Sequence, residues 1–276
     1  MTIAVKDYFN ESRILKTESF KFSAGEVNVK VTDFLPRDVE IIMDFKGSDD
    51  IIELLMVTDA MRRQNPQVDL YLTMPYMPFA RQDRVMVPGE ALSLKVFADL
   101  INSQGYAKVT IWDAHSDVAP ALLNNCVNIP LYNLVNAGDY FDLTTTVIVS
   151  PDAGAEKKIF NFANKFGFNK VVTASKVRDV STGQITETTI GKFPMFLTPS
   201  KILIVDDICD GGRTFIELAK ALRKVSGGSI NLLVTHGIFS KGIEVFDGII
   251  DKVLVVNNIN GVVSSSKTEV ITIQGV

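Results

Sequence analysis

Hydrophobic and polar positions follow two different periods along this chain. Short runs rich in β-branched residues, such as VDLYLTM (68–74) and KVTIW (108–112), alternate with longer amphipathic stretches such as LSLKVFADLINSQ (92–104). This alternation is typical of βαβ units, in which helices connect parallel strands. The pattern therefore predicts an α/β fold with mainly parallel sheets flanked by helices.

The alternation begins again in the second half of the chain, after about residue 136. Residues 177–199 are polar, rich in threonine and without helical periodicity, which indicates a β-hairpin or a mobile flap. We predict two lobes of the same architecture, residues 1–136 and residues 137–276. In the second lobe the pattern predicts strands at 145–149, 170–173, 201–205 and 229–235, and helices at 155–166 and 214–225.

Composition narrows the class of protein. The 276 residues are 46% hydrophobic and 22% charged, which is the balance of a soluble globular protein large enough for two lobes. A net charge of -4 leaves no overall positive potential to attract nucleic acid or anionic lipid. Cys126 and Cys209 have neither CxxC nor zinc-ligand spacing, and neither a signal sequence nor a membrane-spanning run is recognisable. We expect a cytoplasmic protein with no nucleic-acid or membrane partner.

The segment KILIVDDICDGGRTF (201–215) is typical of a phosphate-binding loop, because an apolar strand, a glycine turn and a helix follow one another. Gly211 and Gly212 leave backbone N–H groups able to converge on an anion, and Thr214 adds a hydroxyl at the helix start. Glycine and aspartate content alone would favour an ordinary capped turn with solvated acids. The complete order of strand, paired acids and GGRT favours a phosphate site.

Asp206 and Asp207 follow the apolar part of this strand directly. Two carboxylates facing a phosphate would repel it, so we expect them to bind neutral hydroxyls or a divalent cation further along the ligand. Ribose 5-phosphate offers both a phosphate for the loop and hydroxyls for the acids.

The run VDDICDGGRT (205–214) resembles the loop shared by phosphoribosyltransferases and ribose-phosphate pyrophosphokinases. The resemblance implies two phosphoribosyltransferase-like lobes and a ribose 5-phosphate site. That site would contain Asp206, Asp207, Asp210, Gly211, Gly212, Arg213 and Thr214.

A second segment separates these two groups of enzymes. MPYMPFARQDRVMVPGEALSLKVFAD (74–99) resembles the ATP segment of ribose-phosphate pyrophosphokinases, which phosphoribosyltransferases lack. Arg81 offers a planar cation for a base face or a phosphate, and Gln82 an amide for a base edge. Without this resemblance, Arg81 would be read as part of a surface ion pair.

KFSAGE (21–26) is similar to the family segment that contacts the ATP base of a neighbouring subunit. The resemblance therefore implies that Phe22 and Glu26 bind ATP and that the protein is a homo-oligomer with a dimer-shared ATP site.

TIWDAH (110–115) and VSPDAG (149–154) resemble the strand ends that hold magnesium in the family, which implies that His115 and Asp152 position Mg²⁺ and ATP. Mg²⁺ keeps several waters, so few direct protein ligands are expected. Lys176 and Arg178 match the family's catalytic K-x-R pair at the root of the flap, although an exposed basic pair on a sheet edge is common. Together these resemblances imply transfer of diphosphate from Mg·ATP to the 1-hydroxyl of ribose 5-phosphate.

Three positions depart from the family pattern, namely Ala24, Met86 and Arg213. The first two lie in the segments assigned to ATP, so base preference is expected to differ. Two other readings stay open: a non-catalytic regulatory homologue of the same family, and a phosphoribosyltransferase that consumes the product.

Overall fold

The computed structural model describes residues 2–178, 185–191 and 201–273. Contacts divide the chain into an N-terminal unit, Met1–Pro130, and a C-terminal unit, Leu131–Val276. This division falls before the lobe boundary expected after residue 136. The functions assigned to the two lobes stay predictions.

The N-terminal unit contains a five-stranded sheet in the order β1-β4-β5-β6-β7. Strand β1 is antiparallel to β4, while β4, β5, β6 and β7 run parallel. A separate antiparallel hairpin is formed by β2 and β3. The elements of this unit are β1 (Ile3–Asp7), β2 (Thr17–Lys21), β3 (Val27–Val31), β4 (Asp38–Met43), α1 (Ser48–Gln64), β5 (Asp69–Met74), α2 (Ser93–Ser103), β6 (Lys108–Trp112), α3 (Val118–Leu122) and β7 (Cys126–Ile129).

The C-terminal unit contains a seven-stranded sheet in the order β10-β9-β8-β11-β12-β13-β14. All neighbouring strands are parallel except β9 and β10, which pair antiparallel. The elements are α4 (Leu131–Leu134), a 3₁₀ turn (Ala137–Asp139), β8 (Thr146–Ser150), α5 (Glu156–Phe166), β9 (Val171–Arg178), β10 (Ile185–Ile190), β11 (Lys201–Cys209), α6 (Arg213–Arg223), β12 (Ile230–Gly237), a 3₁₀ turn (Glu244–Phe246), β13 (Lys252–Asn258) and β14 (Glu269–Thr272).

Burial explains the two hydrophobic periods of the sequence. Every residue of β8 and β12 is buried, as expected for parallel strands covered on both faces. Helix α6 buries Phe215, Leu218, Ala219 and Leu222, the spacing of one helical face. The structure therefore confirms the predicted α/β class, with mainly parallel sheets flanked by helices.

The parallel strands position the polar side chains discussed below. In each unit the carboxyl ends of neighbouring parallel strands lie at one edge of the sheet, where ligands of α/β proteins usually bind. Within the part of the chain that the structure describes, no helix is both long and apolar enough to cross a membrane.

Candidate functional site

The predicted phosphate loop is a tight turn between β11 and α6. Gly212 has the left-handed conformation, with φ of +75°, and precedes the first helical residue, Arg213. A Cβ at Gly212 would lie 2.7 Å from Cζ of the buried Phe246 side chain, so both conformation and space require glycine. Glycine offers no side chain to cap α6, and the first N–H groups of the helix thus remain suited to an anion.

The remaining loop residues surround this helix start. Thr214 is half-buried, whereas Arg213 is exposed at the first position of α6. The Oδ1 atom of Asp210 accepts a hydrogen bond of 2.6 Å from the hydroxyl of Ser240. That contact joins the loop to the turn after β12.

Asp206 and Asp207 lie inside β11, because this strand continues to Cys209 rather than ending before the acids. Its pairing with β8 stops at Ile204, whereas its pairing with β12 continues through Cys209 and Gly237. The two acids therefore lie where β11 extends past β8.

The carboxyl groups of Asp206 and Asp207 interact directly. Burial raises the pKa of Asp206 well above its ordinary value, and the charge of Asp207 and a hydrogen bond to its side chain act in the same direction. Asp207 has 8% of its side chain exposed, and its Oδ2 atom lies 3.8 Å from Nζ of Lys158 on α5. Lys158 thus favours the charged form of Asp207 while Asp206 retains its proton to higher pH. The sequence did not identify Lys158 as part of the site.

Asp152 follows the carboxyl end of β8, next to the extension of β11. Its Oδ1 atom accepts a hydrogen bond of 3.1 Å from the N–H of Ala155, and its carbonyl accepts one of 2.8 Å from the hydroxyl of Ser150. The charge of Asp152 also contributes to the raised pKa of Asp206. The structure therefore brings Asp152 close to the paired acids.

In the N-terminal unit, Arg81 and Gln82 line a cavity of about 420 Å³. Its other lining residues are the aromatic side chains of Phe45, Tyr76 and Phe79. The rings of Phe45 and Tyr76 lie 6.4 Å apart between centroids, and Phe79 has a positive φ of 61°. An open cavity with aromatic walls, a guanidinium and an amide is suited to a planar polar ligand.

His115 lies in the loop after β6, beside Asp113, which is buried and has a φ of 41°. Asp83, directly after Arg81 and Gln82, connects the cavity to this loop. A hydrogen bond from Arg84 lowers the pKa of Asp83, against the effect of burial, and a hydrogen bond from Ser116 and the nearby His115 lower it further. Asp83 belongs to the RQD motif, but no sequence pattern indicated its contact with the His115 loop.

Phe22 and Glu26 lie at the tip of the β2–β3 hairpin, where the N–H of Phe22 donates to the carbonyl of Glu26 at 2.9 Å. Phe22 is 53% exposed, and its ring lies 5.1 Å from that of Phe20, which is 44% exposed. Ala24 and Gly25 form the exposed turn between them. The hairpin thus presents two aromatic rings to the outside of its own unit.

Lys176 and Arg178 lie in β9, opposite Thr188 and Ile185 of the antiparallel strand β10. This pairing agrees with a hairpin at the start of the predicted flap. The side chains of Lys176 and Arg178 lie outside the described part of the structure, as do residues 179–184 and 192–200 of the flap. Their catalytic role stays a prediction.

The predicted Mg²⁺ ligands lie in different units, His115 in the N-terminal and Asp152 in the C-terminal. Among the described residues, no group of three or more His, Cys, Asp or Glu side chains is arranged to hold a metal ion. The oxygen donors of Asp152 and Asp206 fit a hard cation that takes most of its ligands from phosphates and water.

Known proteins are similar to this chain in sequence. Residues 4–105 match the family described as the N-terminal domain of ribose phosphate pyrophosphokinase. The ribose-phosphate pyrophosphokinase of Wolinella succinogenes is 28% identical over 261 residues, which cover 92% of this chain and 82% of that protein. The corresponding protein of Helicobacter hepaticus is 27% identical over 269 residues, covering 94% and 84%.

Similarity of fold extends over both units. The crystal structure of phosphoribosylpyrophosphate synthetase from Mycobacterium smegmatis superposes with a TM-score of 0.79, at 20% identity, and covers 94% of this chain and 87% of that one. This agreement confirms the predicted fold of two phosphoribosyltransferase-like lobes. The matching N-terminal domain, the relatives that span nearly the whole sequence and the shared fold show that this chain is similar to ribose-phosphate pyrophosphokinases along almost its full length.

Proposed function

We propose that this protein transfers the terminal diphosphate of Mg·ATP to the 1-hydroxyl of ribose 5-phosphate, giving phosphoribosyl pyrophosphate and AMP. The observation that carries the proposal is the loop between β11 and α6. It combines a helix start with a required glycine, Gly212, and the acid pair Asp206 and Asp207, in which burial and the charge of Asp207 raise the pKa of Asp206. This arrangement is suited to one phosphate and adjacent hydroxyls on the same ligand.

In this mechanism the loop residues 210–214 hold the 5-phosphate, and Asp206 and Asp207 hydrogen-bond the 2- and 3-hydroxyls. A carboxyl that retains its proton can donate and a carboxylate can accept, so the pair can hold two neighbouring hydroxyls. This contact would orient the 1-hydroxyl for in-line attack on the β-phosphorus of ATP.

ATP would bind in the N-terminal unit. Its base would occupy the aromatic cavity beside Arg81 and Gln82, and His115 would face the phosphates. Mg²⁺ would supply neutralisation of phosphate charge, and we expect Asp152 and His115 to help to hold it. Lys176 and Arg178 would stabilise the charge that develops on the transferring group.

We propose further that the ATP site is completed by Phe22 and Glu26 of a second copy. The exposed rings of Phe20 and Phe22 support this proposal, because aromatic side chains on a protruding hairpin are commonly buried by a partner. An obligate monomer should therefore be inactive.

We also expect that the protein works in the cytoplasm.

The decisive experiment measures AMP formation from ATP with and without ribose 5-phosphate, with ADP measured in the same samples. AMP that depends on ribose 5-phosphate, with equimolar phosphoribosyl pyrophosphate detected by ³¹P NMR, is the expected result. Binding of both substrates without AMP would favour the regulatory homologue. Consumption of phosphoribosyl pyrophosphate with a nucleobase would favour the phosphoribosyltransferase.

A further inference from the structure

The turn after β12 is fixed against the phosphate loop. The N–H groups of Ile238 and Phe239 both donate to the carbonyl of Cys209, at 2.8 and 3.1 Å, and the hydroxyl of Ser240 donates to Asp210 at 2.6 Å. The turn closes on itself where the N–H of Gly242 donates to Phe239 at 2.9 Å. Three hydrogen bonds therefore hold the backbone next to residue 241 in register with the loop.

Lys241 lies across this loop at Gly211. A Cβ on Gly211 would be 3.5 Å from Cδ and Cε of Lys241 and 3.7 Å from its Cγ. Unlike Gly212, Gly211 is outside the left-handed region, so its backbone conformation does not require glycine. The absence of a side chain at Gly211 instead leaves room for the methylene chain of Lys241. Since Cε carries the ammonium group, a cation is held beside the loop.

The ammonium of Lys241 does not bind another side chain or backbone group among the residues that the structure describes. There it is exposed and makes neither an ion pair nor a hydrogen bond, whereas Lys158 pairs with Asp207 and Lys220 pairs with Glu217. The end of β11 and the loop together contribute three acidic residues, Asp206, Asp207 and Asp210, and a phosphate monoester carries close to two negative charges at neutral pH. A helix N-terminus offers only about half a positive charge. Binding a dianion there requires further cations, and Lys241 is suitably placed to be one.

We propose that Lys241 contacts the phosphate group of the sugar phosphate and determines the affinity of the loop for it. This inference rests on the proposed function, because it takes ribose 5-phosphate as the ligand of the loop. Lys241 acts as a binding residue that distinguishes a phosphorylated sugar from other hydroxyl-bearing ligands.

The test compares ribose 5-phosphate binding by calorimetry for the full chain and for Lys241→Met, which keeps the methylene contact with Gly211 and removes the charge. We expect binding to weaken about tenfold to a hundredfold, as for a lost hydrogen bond to a charged group. Lys241→Arg should retain most of the affinity. In steady-state assays the KM for ribose 5-phosphate should rise while the KM for ATP stays unchanged.

Lys224→Met is the matched control. It removes the same charge at the other end of α6, which is roughly 16 Å long at about 1.5 Å per residue. Equal binding by wild type and Lys241→Met would overturn the proposal, and so would an equal loss in Lys224→Met, since a distant charge would then suffice. Should Lys241→Met fail to fold, Lys241→Arg and Lys241→Gln provide the same comparison with chains of similar length.

The binding measurement also separates this inference from the proposed activity. A wild type that binds ribose 5-phosphate but forms no AMP would overturn the activity and leave Lys241 to be judged by the dissociation constants. A wild type that binds neither ribose 5-phosphate nor inorganic phosphate would overturn both.

Discussion

Replacing Gly212 with alanine should damage the phosphate loop more than any other single methyl group added there. The alanine would have to adopt a φ of +75°, and its Cβ would lie 2.7 Å from Cζ and 2.9 Å from Cε1 of Phe246. Phe246 is fully buried and cannot move into solvent. The substitution therefore combines backbone strain with overpacking.

The expected loss of stability is the sum of the backbone strain and the overpacking. A left-handed conformation costs a residue with a Cβ about 1–2 kcal/mol. Overpacking of a buried ring costs about 1–3 kcal/mol. Their sum, about 2–5 kcal/mol, corresponds to a decrease in Tm of roughly 4–20 °C for a unit of this size. Because the strained residue directly precedes α6, ribose 5-phosphate binding should also weaken.

Differential scanning calorimetry of Gly212→Ala and Gly211→Ala measures the effect with a neighbouring control. A Cβ on Gly211 meets Lys241 at an ordinary distance of 3.5 Å, so Gly211→Ala should change stability by less than about 1 kcal/mol. A double-mutant cycle with Phe246→Leu should recover the overpacking part and leave the backbone part. A Tm for Gly212→Ala within about a degree of wild type would refute the reasoning.

Three other predictions address catalysis, charge and thiol chemistry. Lys176→Ala and Arg178→Ala should bind Mg·ATP but lose about 10²–10³ in kcat, and wild-type turnover in both would contradict a catalytic role. Because the folded pKa of Asp206 is raised, its contribution to stability is present at low pH and is lost as pH rises through that pKa. Asp206→Asn should therefore gain Tm relative to wild type as pH rises above the ordinary pKa of an aspartate, measured by thermal unfolding. Burial raises the pKa of Cys126 to about 11, so its alkylation near pH 8 should be about a hundredfold slower than that of free cysteine, and an equal rate would contradict this.

Hydrophobic periodicity predicted the buried elements well. Residues 108–112 form β6 as expected, and the strand expected at 145–149 is β8, shifted by one residue. Buried parallel strands and one-sided helices have a clear period, which a single sequence displays. The strand expected at 201–205 is longer because β11 continues to pair with β12 after β8 has ended. Such an extension depends on pairing with a neighbouring strand, so the residues of the strand itself do not predict it.

The hairpin of β2 and β3 shows the opposite case. Its first strand, TESFK, is exposed along most of its length, so no alternation of hydrophobic and polar positions predicts it. Only the resemblance of KFSAGE to the family segment drew attention to Phe22 and Glu26.

The candidate site was predicted motif by motif, but the contacts between motifs were not. Lys158 lies on a helix and Asp207 on a strand that is distant in sequence, and Asp83 and Ser116 lie in two loops that are equally separate in sequence. A long polar side chain on a helix surface gives no indication of which strand end it will reach. Lys241 was missed for the same reason, since its significance depends on the missing side chain of Gly211.

The charges of the loop favour a sugar phosphate over a bare phosphate or diphosphate. The surroundings of each acid near the loop reduce its negative charge or balance it. Asp206 retains its proton to higher pH, Asp207 lies near the ammonium of Lys158, and Asp210 accepts a hydrogen bond from Ser240. This reduces the repulsion of one phosphate but leaves carboxyl oxygens that must still be satisfied. A ligand that carries hydroxyls beside its phosphate satisfies them, whereas a second phosphate would add repulsion unless a divalent cation accompanied it. The charges of the loop thus favour a phosphorylated sugar, and they favour a diphosphate only together with Mg²⁺.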